Sequence, residues 1–302
     1  MSDLSGQPAG GQHHPTVPRG ARLFVVATPI GNLSDVTLRA LEVLRDVALI
    51  AAEDTRLTRR LLDRHGIATR TISFHARSGP GRLVELLVHL RDGADLALVT
   101  DAGTPAISDP GGDLVAAWAG EGGGVVPIPG ASAVLAIVAA SGIAGPRWAF
   151  EGFLPRTGRD RRERIARIAA DDRGTVVYEA PGRVASTLRD LAAACGADRP
   201  AAIGRELTKI HEEIVRGSLG DLADRARNGE LMLRGEFAIL VGSRSGGVAP
   251  SEPAANDLEA AVVEVERRVA AGTARGEAAR AVSSETGIPR RNLYRVDRTG
   301  QP

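Results

Sequence analysis

Several things are scarce in this chain of 302 residues, and each scarcity excludes something. Cys195 is the single cysteine, so no internal disulfide can form and nothing suggests a secreted, cross-linked scaffold. With histidines at 65, 75, 89 and 211 and only that cysteine, no zinc-ligand spacing emerges, and no metal is expected. The longest run of small apolar residues, Ala131 to Ala140, is too short and too alanine-rich to cross a bilayer. The N-terminus lacks the apolar core of a signal peptide, and a cytoplasmic protein with no membrane partner is expected. Neither charge sign dominates: the formal net charge is +1, so attraction to nucleic acid has to come from local patches. Lysine is almost missing, with Lys209 alone among 38 basic residues.

Familiar cofactor signatures are missing too. No G-x-G-x-x-G follows the first strand, and Lys209 follows Thr208 rather than the glycine of a Walker loop. Gly130-Ala131-Ser132-Ala133-Val134 lacks the second glycine of a nucleophile elbow, which leaves Ser132 as a helix cap or a ligand contact.

What is present is a repeated grammar. Leu23 to Arg56 reads as strand, Pro/Gly turn, helix and strand: an apolar run stops at Thr28-Pro29-Ile30-Gly31-Asn32, and Ser34 or Asp35 can cap a helix with Leu38, Leu41 and Leu44 on one face. Val47 to Ala52 then ends in Glu53-Asp54-Thr55-Arg56. Leu96 to Thr100 runs into Asp101-Ala102-Gly103-Thr104-Pro105, Val125 to Ile128 into Pro129-Gly130-Ala131-Ser132, and Thr175 to Tyr178 into Glu179-Ala180-Pro181-Gly182-Arg183. Open parallel sheets bind ligands at the carboxyl ends of their strands. Four such turns in register predict a cleft floored by backbone, suited to a polar small molecule held by main-chain groups. A single turn of this kind would mean only that Pro and Gly end strands.

The expected architecture is α/β, with two α/β domains around a cleft and a small C-terminal helical domain. Residues 1–22, rich in Gly, Pro, Ser and His without periodicity, are expected to be a disordered tail. The first domain is placed at 23–145, the second at 146–244, a linker at 245–256 and the helical segment at 257–302, where Glu277 to Arg295 resembles a helix-turn-helix with Gly287 in the turn and Pro289 opening the second helix.

The strings ATPIGN, AEDTR, VTDAGTPAISDPG, PIPGAS, FEGFLPR, YEAPGR and RELTKIHEE resemble the bacterial ribosomal RNA small subunit methyltransferase I family, cytidine 2′-O-ribose methyltransferases of the tetrapyrrole-methylase-like class. The likeness runs from about Leu23 to Gly242. The turns alone would indicate the wider class; AEDTR with RELTKIHEE narrows it. The resemblance implies S-adenosylmethionine as cofactor, with Pro29 and Gly31 in the first turn and Ala102, Gly103, Thr104, Ile107 and Ser108 in the second. Gly130, Ser132 and Ala133 would follow the third, and Tyr178, Glu179, Phe237 and Ala238 would close the other side. It further implies a homodimer acting on small-subunit ribosomal RNA or a ribosomal particle. Gly103-Thr104-Pro105 stands where porphyrin-type relatives have Gly-Asp-Pro, which points away from a tetrapyrrole substrate.

Methyl transfer to a hydroxyl requires in-line alignment and removal of a proton. Lysine can lose its proton when burial lowers its pKa, whereas arginine stays charged. Lys209 is therefore a candidate base, or a holder of developing charge, with Asp54, Glu53 and Glu206 orienting it. Asp54 is the alternative base. Glu53, Asp54 and Arg56 fit a salt-bridged strand end equally well. For RNA, Arg156, Arg159, Arg161 and Arg162 form one basic run, and Arg290 and Arg291 begin a second. A solvated helix face laced with Asp160 and Glu163 is the plain alternative. Two rivals stay open on these residues: a tetrapyrrole methylase of the same fold, and a non-enzymatic, ligand-sensing regulator that binds nucleic acid through its C-terminal end.

Overall fold

The computed structural model describes residues 20–244, 255–286, 288 and 290–293. Residues 1–19 of the expected tail, 245–254 of the expected linker, the turn residues Gly287 and Pro289, and everything beyond Leu293 lie outside the described residues. Arg22, placed in the tail, opens the first strand, and Ala255 and Asn256, placed in the linker, open a helix.

The first half alternates strands and helices: β1 (Arg22–Val26), α1 (Leu38–Asp46), β2 (Leu49–Ala52), α2 (Thr55–Arg64), β3 (Thr71–Ser73), α3 (Pro80–Arg91), β4 (Leu96–Val99), α4 (Gly112–Gly120) and β5 (Gly124–Ile128). The strands form one parallel sheet in the order β3-β2-β4-β1-β5. Parallel strands in such a sheet are covered on both faces, and the alternation of side chains shows it. Ile50, Ala97 and Val99 pack with Leu44, Leu61 and Leu62 of α1 and α2, while Leu49, Leu96 and Leu98 pack with Leu86, Leu90 and Leu114 of α3 and α4. Pro127, which cannot donate to a ladder, sits on the edge strand β5. The cap of α1 is Thr37, whose hydroxyl accepts from the Ala40 N–H, rather than Ser34 or Asp35; a short 3-10 turn capped by Asn32 occupies those positions.

The second half comprises α5 (Ala133–Ser141), β6 (Trp148–Phe153), α6 (Gly158–Ala170), β7 (Gly174–Glu179), α7 (Val184–Cys195), β8 (Pro200–Arg205), β9 (Glu213–Ser218), α8 (Leu219–Arg227) and β10 (Phe237–Val241). Its sheet, β6-β7-β10-β8-β9, is mixed: β6 and β7 run parallel and the remaining pairs are antiparallel. One face is covered by α6, α7 and α8 through Ile165, Leu188 and Leu222. The other receives α5, whose Val134 and Ile137 pack with Val176, Ala202, Ala238 and Leu240.

Two expectations change here. The boundary drawn at 145/146 assigns α5 to the first domain, yet its buried face belongs to the second sheet, so by packing the division falls in the turn before Ala133. The four Pro/Gly turns also do not share one sheet edge: three follow β1, β4 and β5, and the fourth follows β7 across the cleft.

Beyond the unassigned segment, α9 (Ala255–Ala270), α10 (Arg275–Thr286) and α11 (Arg290–Leu293) gather around Ala261, Val265, Ala279, Val282 and Leu293. Among the described residues, no helix is long and apolar enough to cross a membrane.

Candidate active site

The carboxyl edge of the first sheet faces the α5 side of the second, and between them lies a cavity of about 560 Å³. That falls within the range of small-molecule sites, about 300–1,000 Å³. Backbone builds the near wall. Thr28 and Gly103 exchange N–H to carbonyl bonds of 2.8 and 3.1 Å, tying the turn after β1 to the turn after β4. Ile30 inserts among Leu207, Val134 and Ala238 of the second half, and the Asn32 N–H donates to the Thr208 hydroxyl at 3.2 Å.

Eleven of the fourteen expected cofactor positions line this cavity: Ala102, Gly103, Thr104, Ile107 and Ser108 on one side, Ser132 and Ala133 at the start of α5, and Tyr178, Glu179, Phe237 and Ala238 opposite. Pro29, Gly31 and Gly130 do not. Ile30 lines in their place, because the turn points that side chain inward while Gly130 packs on Ala27 and Gly31 on Lys209. Ser132 has both roles read for it, accepting from the Leu135 N–H as the cap of α5 and facing the cavity.

Beyond Tyr178 and Phe237, the sequence reading missed the aromatics Trp148, Phe150 and Phe153. Trp148, Phe150, Phe153, Tyr178 and Phe237 all line the cavity, five of the chain's nine aromatic residues. Tyr178 meets the Phe150 ring edge-on at 4.9 Å between centroids and Phe153 at 5.6 Å. Burial pushes its phenol up to about 12, so it stays neutral. Their rarity was the available signal: in a chain with 3% aromatics, three of them fall within Trp148–Phe153.

Two loops flanking the cleft hold strained backbone. The non-glycine residues with left-handed φ among those described are Ala106 and Ser108 in the β4–α4 turn and Glu206 and Thr208 after β8. Such residues cost about 1–3 kcal/mol each and persist where surrounding contacts impose them.

The loop after β8 presents Lys209. Its ammonium donates to Glu206 at 2.8 Å and to Glu236 at 3.1 Å. Glu206 also accepts from the Glu236 N–H, so one carboxylate fixes both partners. Room for this cluster comes from Gly31, where a Cβ would overlap the lysine stem, and from Gly235, where one would overlap Glu206. The expectation of a lysine deprotonated by burial is corrected. Burial does pull its pKa down, but the two carboxylates outweigh it and the net shift is upward. Lys209 is a held cation, three-quarters buried in its side chain.

Glu53, Asp54 and Arg56 occupy the ends of β2 and α2, a different corner. Among the described residues no hydrogen bond or ion pair joins them to Lys209, so of the proposed orienting groups only Glu206 reaches it. Asp54 accepts from the Arg56 guanidinium at 2.6 Å and from its N–H while capping α2. The Arg56 side chain, then its backbone, lowers the Asp54 carboxyl to about 2, which makes it a poor base near neutral pH. Glu53 accepts from the Thr100 hydroxyl and from the Asp101 N–H.

The basic run on α6 separates into two kinds of arginine. Arg161 is buried: it donates to Asp190 at 2.9 Å, Thr187 at 3.0 Å and the Pro155 carbonyl at 3.1 Å, and is unavailable to phosphate. Helical spacing turns it inward, since Arg161, Ile165 and Ile168 share the buried face. Arg156 and Arg162 are exposed, and Arg159 is exposed but paired with Glu163. On the C-terminal unit Arg290 is exposed and donates to the Gly276 carbonyl. Arg291 lies on α11, its side chain outside the described residues.

Residues 22–223 match the family Tetrapyrrole (Corrin/Porphyrin) Methylases. The chain is 43% identical over 274 residues to the ribosomal RNA small subunit methyltransferase I of Synechocystis, covering 91% of this chain and 96% of that protein. The protein of that name from Halalkalibacterium halodurans is 40% identical, covering 91% and 93%, and the one from Bacillus subtilis 36%, covering 90% and 92%. Among solved structures, a cobalt precorrin-4 methyltransferase superposes with a TM-score of 0.58 at 20% identity over 75% of this chain and 97% of its own. A Thermus thermophilus uroporphyrin-III C-methyltransferase complexed with S-adenosylhomocysteine superposes with a TM-score of 0.53 at 20% identity over 74% and 97%. At those identities the structures bear on the fold alone.

Proposed function

We propose a function from one premise: this chain belongs to the tetrapyrrole methylase family and, within it, to the ribosomal RNA small subunit methyltransferase I proteins. It is a methyltransferase that uses S-adenosylmethionine, and the acceptor we assign is the ribose 2′-hydroxyl of a cytidine in the decoding region of small-subunit ribosomal RNA.

The observation that carries the reading is the cavity with Lys209 beside it. The cofactor fits the residues present. Its adenosine asks for an apolar, aromatic wall, its polar groups for main-chain donors and acceptors, and Phe150, Tyr178, Phe237 and the turn at Ala102-Gly103-Thr104 offer both. When bound it supplies a methyl group already activated on sulfur. The protein's remaining work is then to exclude water, to place the hydroxyl, and to hold charge as it develops on oxygen. Tyr178 and Phe153 close the apolar side. Lys209, fixed by Glu206 and Glu236, holds negative charge at the accepting oxygen while remaining protonated. Arg156 and Arg162 lie on the exposed surface following β6, where they can pair with phosphates. A homodimer working in the cytoplasm is part of the same proposal, and light scattering of the purified chain checks the dimer.

Incubation with labelled S-adenosylmethionine and small ribosomal subunits, their naked RNA, or a tetrapyrrole tests the assignment. Label on one cytidine ribose of the RNA is expected. Label on a tetrapyrrole alone moves the chain to the other branch of its family.

A further inference from the structure

Three carboxylates line the cavity, and two of them are neutralised in place. Glu179, fully buried, is gripped by Arg183 at 3.0 Å and by the Thr187 hydroxyl at 2.6 Å. Glu236 is paired with Lys209. The third, Asp109, is half-buried at the end of the strained turn after β4, and among the described residues neither lysine nor arginine pairs with it. Its neighbours are Glu53 from the end of β2, Asp101 and Thr100 from the end of β4, and the neutral Tyr178 across the cavity. Thr100 donates its hydroxyl to Glu53 and is a neighbour of Asp109, so the two carboxylates share one corner. The Arg56 guanidinium, whose charge acts on Asp101, is paired with Asp54. One corner of an otherwise apolar cavity therefore carries negative charge that the protein itself leaves unbalanced. Burying a carboxylate beside two others is costly unless a cation arrives to compensate it.

We propose that Asp109 is a cofactor-binding residue, the anionic partner of the positive charge that S-adenosylmethionine brings into the cavity, and that the cofactor binds with release of a proton from this carboxyl. The proposal rests on the cofactor assigned above. S-adenosylmethionine carries two cations, its sulfonium and its α-ammonium, and the chemistry of recognition is the same for either.

The protonation state follows from the surroundings. Burial first, then the Glu53 charge, pushes Asp109 up to about 6, so near that pH the empty site is partly protonated. A cation beside it favours the ionised form and moves the pKa back down. Linkage then fixes the sign: affinity is full above pH 6 and falls as pH drops through it, by up to about tenfold per unit. Over about pH 5 to 7 the cofactor's own amine, titrating near 8, stays charged and does not confound the slope.

The test is calorimetry of the whole chain with S-adenosylmethionine and with S-adenosylhomocysteine, which keeps the ammonium but lacks the sulfonium. Parent affinity is expected to fall about tenfold from about pH 7 to about pH 5. Heats measured in buffers of different ionisation enthalpy should report a fraction of one proton released near pH 6. A slope seen with both ligands assigns the ammonium, and a slope seen with S-adenosylmethionine alone assigns the sulfonium. Asp109→Asn should bind more weakly at pH 7 and lose the slope. Its ligand-free melting temperature should equal or exceed the parent's, because an uncompensated charge has been removed. Binding with no pH dependence and no proton release overturns the role of Asp109, as does an unchanged slope in Asp109→Asn. A parent that binds neither ligand at any pH overturns the cofactor assignment itself, and this inference with it.

Discussion

The two edges of the cleft treat charge in opposite ways. On the second-sheet edge every cavity-lining carboxylate has a partner: Lys209 sits between Glu206 and Glu236, and Glu179 is held by Arg183 and Thr187. On the first-sheet edge Glu53, Asp101 and Asp109 gather near Thr100, and among the described residues neither lysine nor arginine pairs with Asp109, while Arg56 is taken by Asp54. An edge balanced within the protein is organised before any ligand arrives. An unbalanced one is completed by the ligand. On this division, substitutions on the second-sheet edge should change the rate or the fold, and those at the Asp109 corner should change cofactor affinity.

The largest effect expected is at Lys209. Removing its charge with Lys209→Met should lower single-turnover methyl transfer by about 100-fold or more, the scale of losing one preorganised electrostatic group. Cofactor affinity should stay near the parent's. Because the ammonium is held charged rather than poised to titrate, Lys209→Arg should retain a substantial part of the rate. The rate should also show no inflection from this residue near neutral pH, since its pKa lies above the ordinary lysine value. An arginine variant as dead as the methionine one, with a neutral-range inflection in the parent, would restore the lysine as base and break the comparison.

Next in size is the buried arginine of α6. Arg161 has a side chain only 9% exposed. Arg161→Ala removes one of the two arginines on Asp190, leaving Arg189, and takes from the Pro155 carbonyl the shorter of its two bonds, the other coming from Arg183. Breaking a buried pair from one side costs about 3–5 kcal/mol. Asp190, 31% exposed and still held by Arg189, places this case toward or below the low end. A fall in melting temperature and in the denaturant midpoint, with no change in the salt dependence of RNA binding, is the expected signature.

Arg161 also shows where the sequence stops being legible. The parallel first sheet and the turns at Gly103 and Ser132 could be read from runs and turns, because strand ends and Pro/Gly breaks are local signals, whereas the placement of Tyr178 and Phe237 opposite them rests on the family resemblance. The turn residue that faces the cavity could not: Ile30 rather than Pro29 or Gly31 points inward, which depends on how the turn docks on Leu207. The allegiance of α5 was hidden for a similar reason, since a helix of small apolar residues has no polar face to say which sheet it covers. The charge state of Lys209 depended on Glu236, which is 27 residues away in sequence and arrives with β10. Asp109 could be seen in its Ser-Asp-Pro-Gly string, but its lack of a cation is a property of the assembled corner.

The smallest effect expected separates Arg162 from its neighbour. Arg161 and Arg162 are adjacent and equally charged, yet one lies in the core and the other in solvent with no ion pair among the described residues. Replacing both together would mix loss of stability with loss of phosphate contact. Arg162→Ala alone, or with Arg156→Ala, should leave the melting temperature within experimental scatter, because exposed substitutions away from caps and pairs change stability by only about 0.5 kcal/mol. Affinity for the ribosomal substrate should fall a few-fold per residue, and the slope of log affinity against log salt should flatten by about one per contact removed. Cofactor affinity and its pH slope should not move. If affinity and salt slope are both unchanged in the double variant, this surface is a solvated helix face, and the contacts that hold the RNA lie elsewhere on the chain.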